Sequence, residues 1–537
     1  MATTDNPQVK SRFRQFKDHL RHDWRATVFV ACALFIVHAK TDWLDPFDNF
    51  AFALLGHPGD TEFLEKRKDE KTNKALVVLI DEKANETSYL DRSPLNRCQL
   101  YQDLEVVYSA MERRNLEVES QDQKIDKRNR PDYLDLLVID LDISPALWLA
   151  KAPDSTAEKK CETDLYALIK DAAKKQQSKH EPLVSIRTVL MTPFHVSDSD
   201  PMAEKKKWLT DMAKSGVLFG FPELPVTHGW VNRYYKDPCA LARTAYDSAT
   251  CSRQECSTRA IKNIEDSSIG GLLQDSSEEI DPRQYRRGIR LMGLSKPEDK
   301  LKDPCSQASF KDRLDCALKV DSSSVSTTVV KENFRAVFFG AGFGEIDTFL
   351  TPLGVLYGVE VHAAAYLTLN NPLKHQYLLA LGFDIAFAFF IGWMISMCWA
   401  AYFKAVSQTT DTWNRAPIYL LKIGAIVFVA ICFIALLPWL LIHGGGIWIS
   451  PIPIALGMLV ESFVSASVVE ASREIKAVRR ASFPSVPVAD SAAHPRSAAE
   501  SLKAMSPLSR TFFISKWFIW LVVVCFAIFM AVKKDFQ

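Results

Sequence analysis

Long apolar stretches at the two ends of the chain constrain its fold more than any other feature. A helix that crosses the hydrocarbon core of a membrane needs about 20 mostly apolar residues. Four stretches meet this requirement, at residues 377–402, 419–442, 447–468 and 512–532. A fifth, at residues 26–43, reaches the required length when Trp24 and Trp43 are taken as its interfacial anchors. We therefore predict an integral membrane protein, because buried helices of a soluble core fit such a cluster poorly.

The orientation of the predicted spans follows from the basic residues of the N-terminal segment, residues 1–25. These are Lys10, Arg12, Arg14, Lys17, Arg21 and Arg25. The positive-inside rule keeps such a segment in the cytoplasm. Counting spans from there puts residues 45–375 outside the cytoplasm, residues 470–511 inside and the C-terminus outside. The alternative for the first stretch is a cleaved signal peptide, which also exports the following segment.

Short apolar runs alternate with helical patterns in the predicted exported region, residues 45–375. The predicted strands are residues 75–80, 134–139, 183–190, 216–219 and 336–339. The predicted helices are residues 99–111, 163–173, 205–214 and 355–370. This alternation indicates an α/β domain with a largely parallel sheet. The continuously apolar strands are typical of a sheet that is covered on both faces.

Acidic residues follow two of the predicted strands, and an arginine opens the first long helix. Asp81 follows the first strand, Asp140 and Asp142 end the second, and Arg97 begins the helix. Ligands of open α/β sheets bind beyond the carboxyl ends of the strands, and an arginine there can hold an anionic ligand. These four residues are candidate ligand-binding residues. The alternatives are a structural ion-pair network of Asp81, Arg97 and Asp140, or a divalent cation held by the three aspartates.

Four sequence blocks resemble the CHASE domain of the second type, an extracellular sensory domain found ahead of bacterial nucleotide cyclases and histidine kinases. The blocks are VVLIDEKANE, SPLNR, LLVIDLDISP and FRAVFFGAGFGEIDTFLTPLGVLYGVEVHAAAYLTL. The resemblance adds two candidates: Asp164, expected to open the helix CETDLYALIK, and His362 in the last block. A histidine in such an apolar stretch is also typical of a packed core residue. The resemblance implies the inner membrane of a bacterium, with the large domain in the periplasm.

Residues 221–331 depart from the family pattern and form a predicted polar, cysteine-rich insertion. Its cysteines are Cys239, Cys251, Cys256, Cys305 and Cys316. Such clustering in an oxidising compartment indicates disulfides that hold a long, weakly hydrophobic excursion. The close spacings favour a pair of Cys305 with Cys316, and a pair of Cys239 with either Cys251 or Cys256. Reduced, inert thiols are the alternative.

The sequence contains no motif typical of an enzyme. It has no phosphate-binding loop with its lysine, no nucleophile elbow and no pair of metal-binding histidines on one helical turn. We expect no catalytic residue, no resident metal and no cofactor. The balance of 65 Lys and Arg against 64 Asp and Glu argues against nucleic acid as a partner.

The family usually continues into a cytoplasmic output module, whereas residues 470–511 form a predicted flexible linker that is too short for one. The sequence therefore predicts a sensor or signal-transducing subunit that is read by a separately encoded partner. Membrane lipid and a second copy of the chain are further expected partners.

Two ionisable residues lie within predicted spans, Asp384 in residues 377–402 and Glu461 in residues 447–468. Ionisable residues in lipid are functional candidates by default, and a packed polar contact between spans is the other interpretation. Asp384 and the final span motivate an alternative function. This is a membrane effector whose oligomerised spans permeabilise or remodel the bilayer.

Overall fold

The computed structural model of the chain contains two compact units, Gly56–Leu373 and the combination of Met1–Leu55 with Lys374–Gln537. In the first unit the structure describes residues 74–91, 95–121, 134–145, 155–175, 186–193, 202–226, 229–249, 253–266, 273, 276–295, 309–318, 334–344, 347–351 and 353–373. In the second it describes residues 51, 52, 55, 374, 375, 382, 383, 386, 390, 394, 397, 416–445 and 447–450. Each unit is described by itself.

The strands of the unit Gly56–Leu373 form one large sheet and two small ones. In chain order they are β1 (Lys74–Asp81), β2 (Leu136–Asp140), β3 (Arg187–Met191), β4 (Leu218–Gly220), β5 (Arg233–Tyr235), β6 (Ser277–Glu279), β7 (Ile289–Gly293), β8 (Phe334–Gly342), β9 (Thr348–Thr351) and β10 (Gly354–Tyr357). The large sheet has six strands in the order β4-β3-β2-β8-β1-β7, and every pairing in it is parallel. The predicted α/β fold with a largely parallel sheet is confirmed.

Helices cover both faces of this sheet. In chain order they are α1 (Glu82–Thr87), α2 (Arg97–Gln121), α3 (Ser155–Lys175), α4 (Met202–Lys214), α5 (Leu241–Tyr246), α6 (Arg253–Asp266), α7 (Phe310–Leu318) and α8 (Gly358–Asn370). One face packs against α2, α3, α4, α6 and α7, and the other packs against α5 and α8. Alternate residues of each strand point to opposite faces, so the central strand β2 is buried along its whole length and is apolar up to Asp140.

The predicted helix at residues 355–370 begins too early. Residues 354–357 form β10, which pairs antiparallel with β9, and α8 starts only at Gly358. The turn between the two strands brings Gly354 to a φ of +109°, which a glycine adopts without strain. Val355 faces Leu350 across the hairpin, so local strand pairing replaces the predicted first turn of helix.

The predicted insertion, residues 221–331, is part of the core and not an excursion from it. It supplies β7, which pairs with β1 at one edge of the large sheet. Leu241 of α5 is fully buried on one face of the sheet, and Leu314 of α7 is fully buried on the other. The expectation of a weakly hydrophobic excursion is therefore wrong. Leu241 and Leu314 show that apolar residues of this segment help to cover both faces of the sheet.

Disulfides join elements in and beyond this segment. Cys239 pairs with Cys256, one of the two predicted alternatives. A pair that was not predicted, Cys98 with Cys161, joins the start of α2 to α3. Cys316 is also disulfide-bonded. Its partner, like Cys251 and Cys305, lies outside the described residues.

The second unit contains α9 (Ala416–Gly445), which includes the predicted span 419–442. Its segment Gly424–His443 has a mean hydropathy of 2.9, and within the described residues it is the one helix long and apolar enough to cross a membrane. The predicted span 447–468 starts differently, because residues 447–448 form β12 (Ile447–Trp448), paired with β11 (Lys374–His375). The predicted spans 26–43 and 512–532, most of 377–402, Asp384 and Glu461 lie outside the described residues.

Candidate functional site

Three ionisable side chains from three elements come together at the carboxyl end of the central strand β2. Asp140 ends β2, Asp347 directly precedes β9, and His362 lies in α8. The Asp140 Oδ2 and His362 Nε2 atoms are 4.0 Å apart, and the charges of both groups act on Asp347. We refer to these three residues as the Asp–His–Asp cluster.

The alternation of side chains along β2 turns Asp140 toward α8. Leu136 and Val138 of β2 lie in the apolar cluster that contains Val359 of α8, and Asp140 continues the same face two residues later. Glycine at position 340 of β8 allows α8 to approach closely, since a Cβ atom there would lie 2.7 Å from the Cβ of Val359. The helix therefore begins directly against the end of the sheet.

A second glycine makes room for the Asp347 carboxyl. A Cβ atom at Gly358, the first residue of α8, would lie 2.5 Å from Asp347 Oδ1. The Gly358 N–H also donates to the Asp347 carbonyl oxygen at 3.0 Å. The start of α8 is held further by Glu360, whose carboxylate accepts the N–H of Tyr357 at 2.9 Å. The cluster is thus built into the first turns of α8.

The hydrogen bonds of the cluster leave the Asp140 carboxyl uncompensated. His362 Nε2 lies 3.0 Å from the Pro222 carbonyl oxygen. A carbonyl only accepts, so Nε2 carries the hydrogen and donates it. Asp140 is buried, with 7% of its surface exposed, and no donor among the described residues is within hydrogen-bond distance of its carboxyl. A buried carboxylate without a partner is costly, so its charged form is disfavoured.

Burial shifts the pKa of all three groups toward their neutral forms. It raises the pKa of Asp140 to about 7. Burial also raises the pKa of Asp347 to about 7; the charge of Asp140 adds to this shift, and His362 and a hydrogen bond from the Gly358 backbone oppose it. Burial lowers the pKa of His362 to about 4, against the opposing charge of Asp347. Near neutral pH the imidazole is uncharged, and the two carboxyl groups titrate as a coupled pair.

Arg97 forms a different ionic site, at the start of α2 on the other face of the sheet. Its side chain is 1% exposed, its Nη2 donates to the Ser144 carbonyl oxygen at 3.0 Å, and its Nε lies 3.9 Å from Glu162 Oε1. The Cys98–Cys161 disulfide joins the residues that directly follow Arg97 and precede Glu162. The predicted network of Arg97 with Asp81 and Asp140 is therefore wrong: the charged partner of Arg97 is Glu162.

Two of the candidate aspartates accept hydrogen bonds from backbone N–H groups of the loops around them. Asp81 caps α1 by accepting the Ala84 N–H on Oδ1 at 2.9 Å, and its Oδ2 accepts the Ser295 N–H at 2.9 Å. Asp142 accepts the N–H of Ser144 at 3.0 Å, as in a turn. These contacts hold the loops at the ends of β1, β2 and β7 in place.

Asp164 does not open a helix, because α3 begins at Ser155 and Asp164 lies exposed in its middle. The expected role at a helix start is wrong for this residue. The part of the chain that the structure describes contains no group of three His, Cys, Asp or Glu residues that could hold a metal ion. The divalent-cation alternative for Asp81, Asp140 and Asp142 thus has no geometric support.

Sequence reasoning missed two residues that complete these sites, Asp347 and Glu162. Asp347 lies in the last of the sequence blocks, directly before the hairpin, but nothing in its sequence neighbourhood indicates that it is half-buried against the start of α8. Glu162 adjoins a cysteine whose disulfide partner follows Arg97. That pairing would have revealed the contact, but connectivity cannot be deduced from sequence alone.

No family model, no curated protein and no solved structure matches this chain. The resemblance to the second-type CHASE domain therefore stays a prediction that rests on the four sequence blocks.

Proposed function

We propose that the unit Gly56–Leu373 is an extracytoplasmic sensory domain, and that the chain is a membrane-bound, signal-transducing subunit. The observation that carries this proposal is the Asp–His–Asp cluster. It joins the carboxyl end of a central strand to α8, the last helix of the unit. A signal received at this end of the sheet acts directly on α8, the described helix that most closely precedes the predicted span 377–402 in the chain.

Burial and rigidity suit α8 to this role. Every residue from Gly358 to Leu369 is buried, and the aromatic rings of Tyr366 and Phe338 pack at a centroid distance of 5.6 Å. A helix packed in this way moves as a body when its start is displaced, because protein interiors are too dense to absorb the change locally. Asn370 ends the helix, and the chain enters the predicted span at residue 377.

Two features support an exported, membrane-bound location. Disulfides form in oxidising compartments and are rare in the cytosol, and the unit contains the Cys98–Cys161 and Cys239–Cys256 pairs. The segment Gly424–His443 is long and apolar enough to cross a membrane. The proposed arrangement is a multi-pass protein of a bacterial inner membrane. Its N-terminus and residues 470–511 are cytoplasmic, and a separately encoded protein reads the movement of its spans.

Protease protection and partner retention together test the proposal. In spheroplasts that express the tagged full chain, added protease should cleave within residues 56–373. After mild crosslinking, one signalling protein should co-purify. Its amount should change in His362→Ala, which disturbs α8, and should be unchanged in Asp164→Asn, a control on an exposed face of α3. Protection of residues 56–373 from the protease, or equal retention of the partner in both variants, would contradict the proposal.

The alternative membrane effector makes a different prediction in the same cells. Expression would dissipate the membrane potential, and Asp384→Leu would restore it. Asp384 and the final predicted span, which motivate this alternative, lie outside the described residues. No observation in the described part of the chain favours it over the sensor.

A further inference from the structure

We propose that the Asp–His–Asp cluster is a proton-responsive switch that makes the seating of α8 on the sheet depend on the pH outside the cytoplasm. This inference rests on the proposed function and deepens it, since it names protons as a signal that the sensory domain detects. The three groups belong to three different elements. Asp140 lies in β2, Asp347 belongs to the segment before the β9–β10 hairpin, and His362 lies in α8.

The charges around the cluster determine its response. Asp347 is influenced by Asp140 and His362, and His362 by Asp347. No lysine or arginine among the described residues acts on any member of the cluster. Ionisation of both carboxyl groups therefore places two negative charges in a buried site with no fixed cation to offset them.

Neighbouring acidic groups on the packed elements are committed to other contacts. On α8 itself, Glu360 accepts the Tyr357 N–H. At the end of β1, Glu82 accepts the Gly344 N–H. On the loop that accepts the hydrogen of His362, the charged neighbours of Glu223 are Arg259 and Asp237. None of these groups acts on the pKa of a cluster member.

The direction of the response follows from the pKa values of the two carboxyl groups, both raised to about 7. Below this range both are protonated, the cluster is neutral and α8 is held against the sheet. As the pH rises through about 7, both ionise, and a conformation that exposes them to water becomes more favourable. A proton shifts a conformational equilibrium only if it binds one state more tightly, and here it binds the closed state more tightly.

The size of the response follows from proton linkage. Each proton released on opening changes the opening equilibrium by up to about tenfold per pH unit within its titration range. Two coupled carboxyl groups make the dependence steeper than a single group would. His362 contributes at the acid end, because its protonation near pH 4 brings a positive charge into the buried cluster.

Hydrogen–deuterium exchange of the full chain in lipid nanodiscs, between pH 5.5 and 8.5, tests this switch. Rates are divided by those of unfolded peptides of the same sequence, which removes the intrinsic effect of pH on exchange. Protection of the peptides that cover Gly358–Asn370 should fall at least tenfold between pH 6 and 8. Peptides that cover Arg97–Gln121 should change little, because Arg97 is paired with Glu162 on the other face.

Three variants of the cluster and one control decide the cause of the change. Asp140→Asn and Asp347→Asn should each reduce the pH dependence of α8, and the double variant should remove it. Asp164→Asn, on an exposed face of α3, should leave it as in the wild type. Each variant counts as folded when its disulfide-bonded form migrates with that of the wild type. If Asp140→Asn does not fold, Asp347→Asn provides the test, because Asp347 is less buried than Asp140.

Constant protection of α8 across the pH range in the wild type, or an undiminished response in the double variant, would overturn the switch. Either result leaves the topology and partner tests of the proposed function unaffected, so the two proposals fail separately.

Discussion

The two faces of the large sheet bury charge in opposite ways. On the α2 side, the buried Arg97 guanidinium has an anionic partner, Glu162, and a disulfide between Cys98 and Cys161 fixes the two helices beside that pair. On the α8 side, the carboxyl groups of Asp140 and Asp347 share one neutral histidine and have no cation. Both sites lie near the carboxyl end of β2.

The comparison indicates that one face maintains the fold and the other can respond. A covalent crosslink and opposite charges both hold α2 and α3 together across the pH range. The cluster beneath α8 has no covalent link among the described residues, and its charge changes near neutral pH. We therefore propose that α8, which most closely precedes the predicted span 377–402 in the chain, is the helix whose packing on the sheet depends on pH.

The largest expected effects come from adjacent phenylalanines of β8 that point to opposite faces. Phe339→Ala removes a ring from the α2 face and Phe338→Ala from the α8 face. Each should lower the free energy of unfolding by about 3–5 kcal/mol, as large-to-small core changes do. Denaturant titration followed by limited proteolysis measures this loss. Exchange in α8 should rise in Phe338→Ala only; an equal rise in both variants would show that the faces are not independent.

Removal of the disulfides should come next in size. The Cys98–Cys161 link closes 63 residues and the Cys239–Cys256 link closes 17. Their double serine variants should lose about 4 and about 3 kcal/mol of stability, because a longer loop restricts the unfolded chain more. Denaturant titration under oxidising conditions measures both losses. Loss of the Cys98–Cys161 disulfide should leave the pH response of α8 intact. Loss of that response would show that the two ionic sites are coupled.

Neutral substitutions at the two ionic sites should have opposite signs at pH 8. Glu162→Gln leaves the buried Arg97 charge without its partner and should destabilise the unit by about 1–3 kcal/mol. Asp140→Asn removes a buried negative charge that no cation offsets, and should stabilise the unit by on the order of 2 kcal/mol. Thermal unfolding of the two variants at the same pH measures both shifts. Destabilisation by both would mean that Asp140 is as well compensated as Glu162.

The dependence of stability on pH is the smallest effect when it is taken per pH unit. Groups whose folded pKa is raised, Asp140 and Asp347, contribute stability that is lost as the pH rises from about 4 to about 7. His362, whose folded pKa is lowered to about 4, has the opposite effect up to its ordinary value. The net change of one proton should lower stability by about 1.4 kcal/mol per pH unit in this window. The double variant Asp140→Asn with Asp347→Asn should reverse the sign of this slope.

Much of the fold could be predicted because it depends on local pattern. Five apolar runs predicted the strands that became β1, β2, β3, β4 and β8. The sixth strand, β7, was missed because its sequence, IRLMG, has polar neighbours and is only half-buried at the sheet edge. Its place is set by pairing with β1, a long-range contact that no local window contains.

The candidate sites were only partly predictable, for the same reason. Asp140 and His362 were singled out from a strand end and a sequence block, and they do lie together. Asp81 and Asp142 share the position at strand ends, yet their oxygens accept backbone N–H groups. Whether a carboxylate binds its own loop or faces another helix depends on the tertiary fold. Asp347 and Glu162 became visible only through such contacts.

Differential alkylation of cysteines in intact cells tests the central claim, an exported domain, most directly. Cells that express the full chain are quenched with acid, free thiols are alkylated with one reagent, and thiols released by reduction are alkylated with a second. Mass spectrometry should find the second label on Cys98, Cys161, Cys239 and Cys256, and the first on Cys432, which is free in the structure. The first label on all five cysteines would place the domain in a reducing compartment and contradict the account.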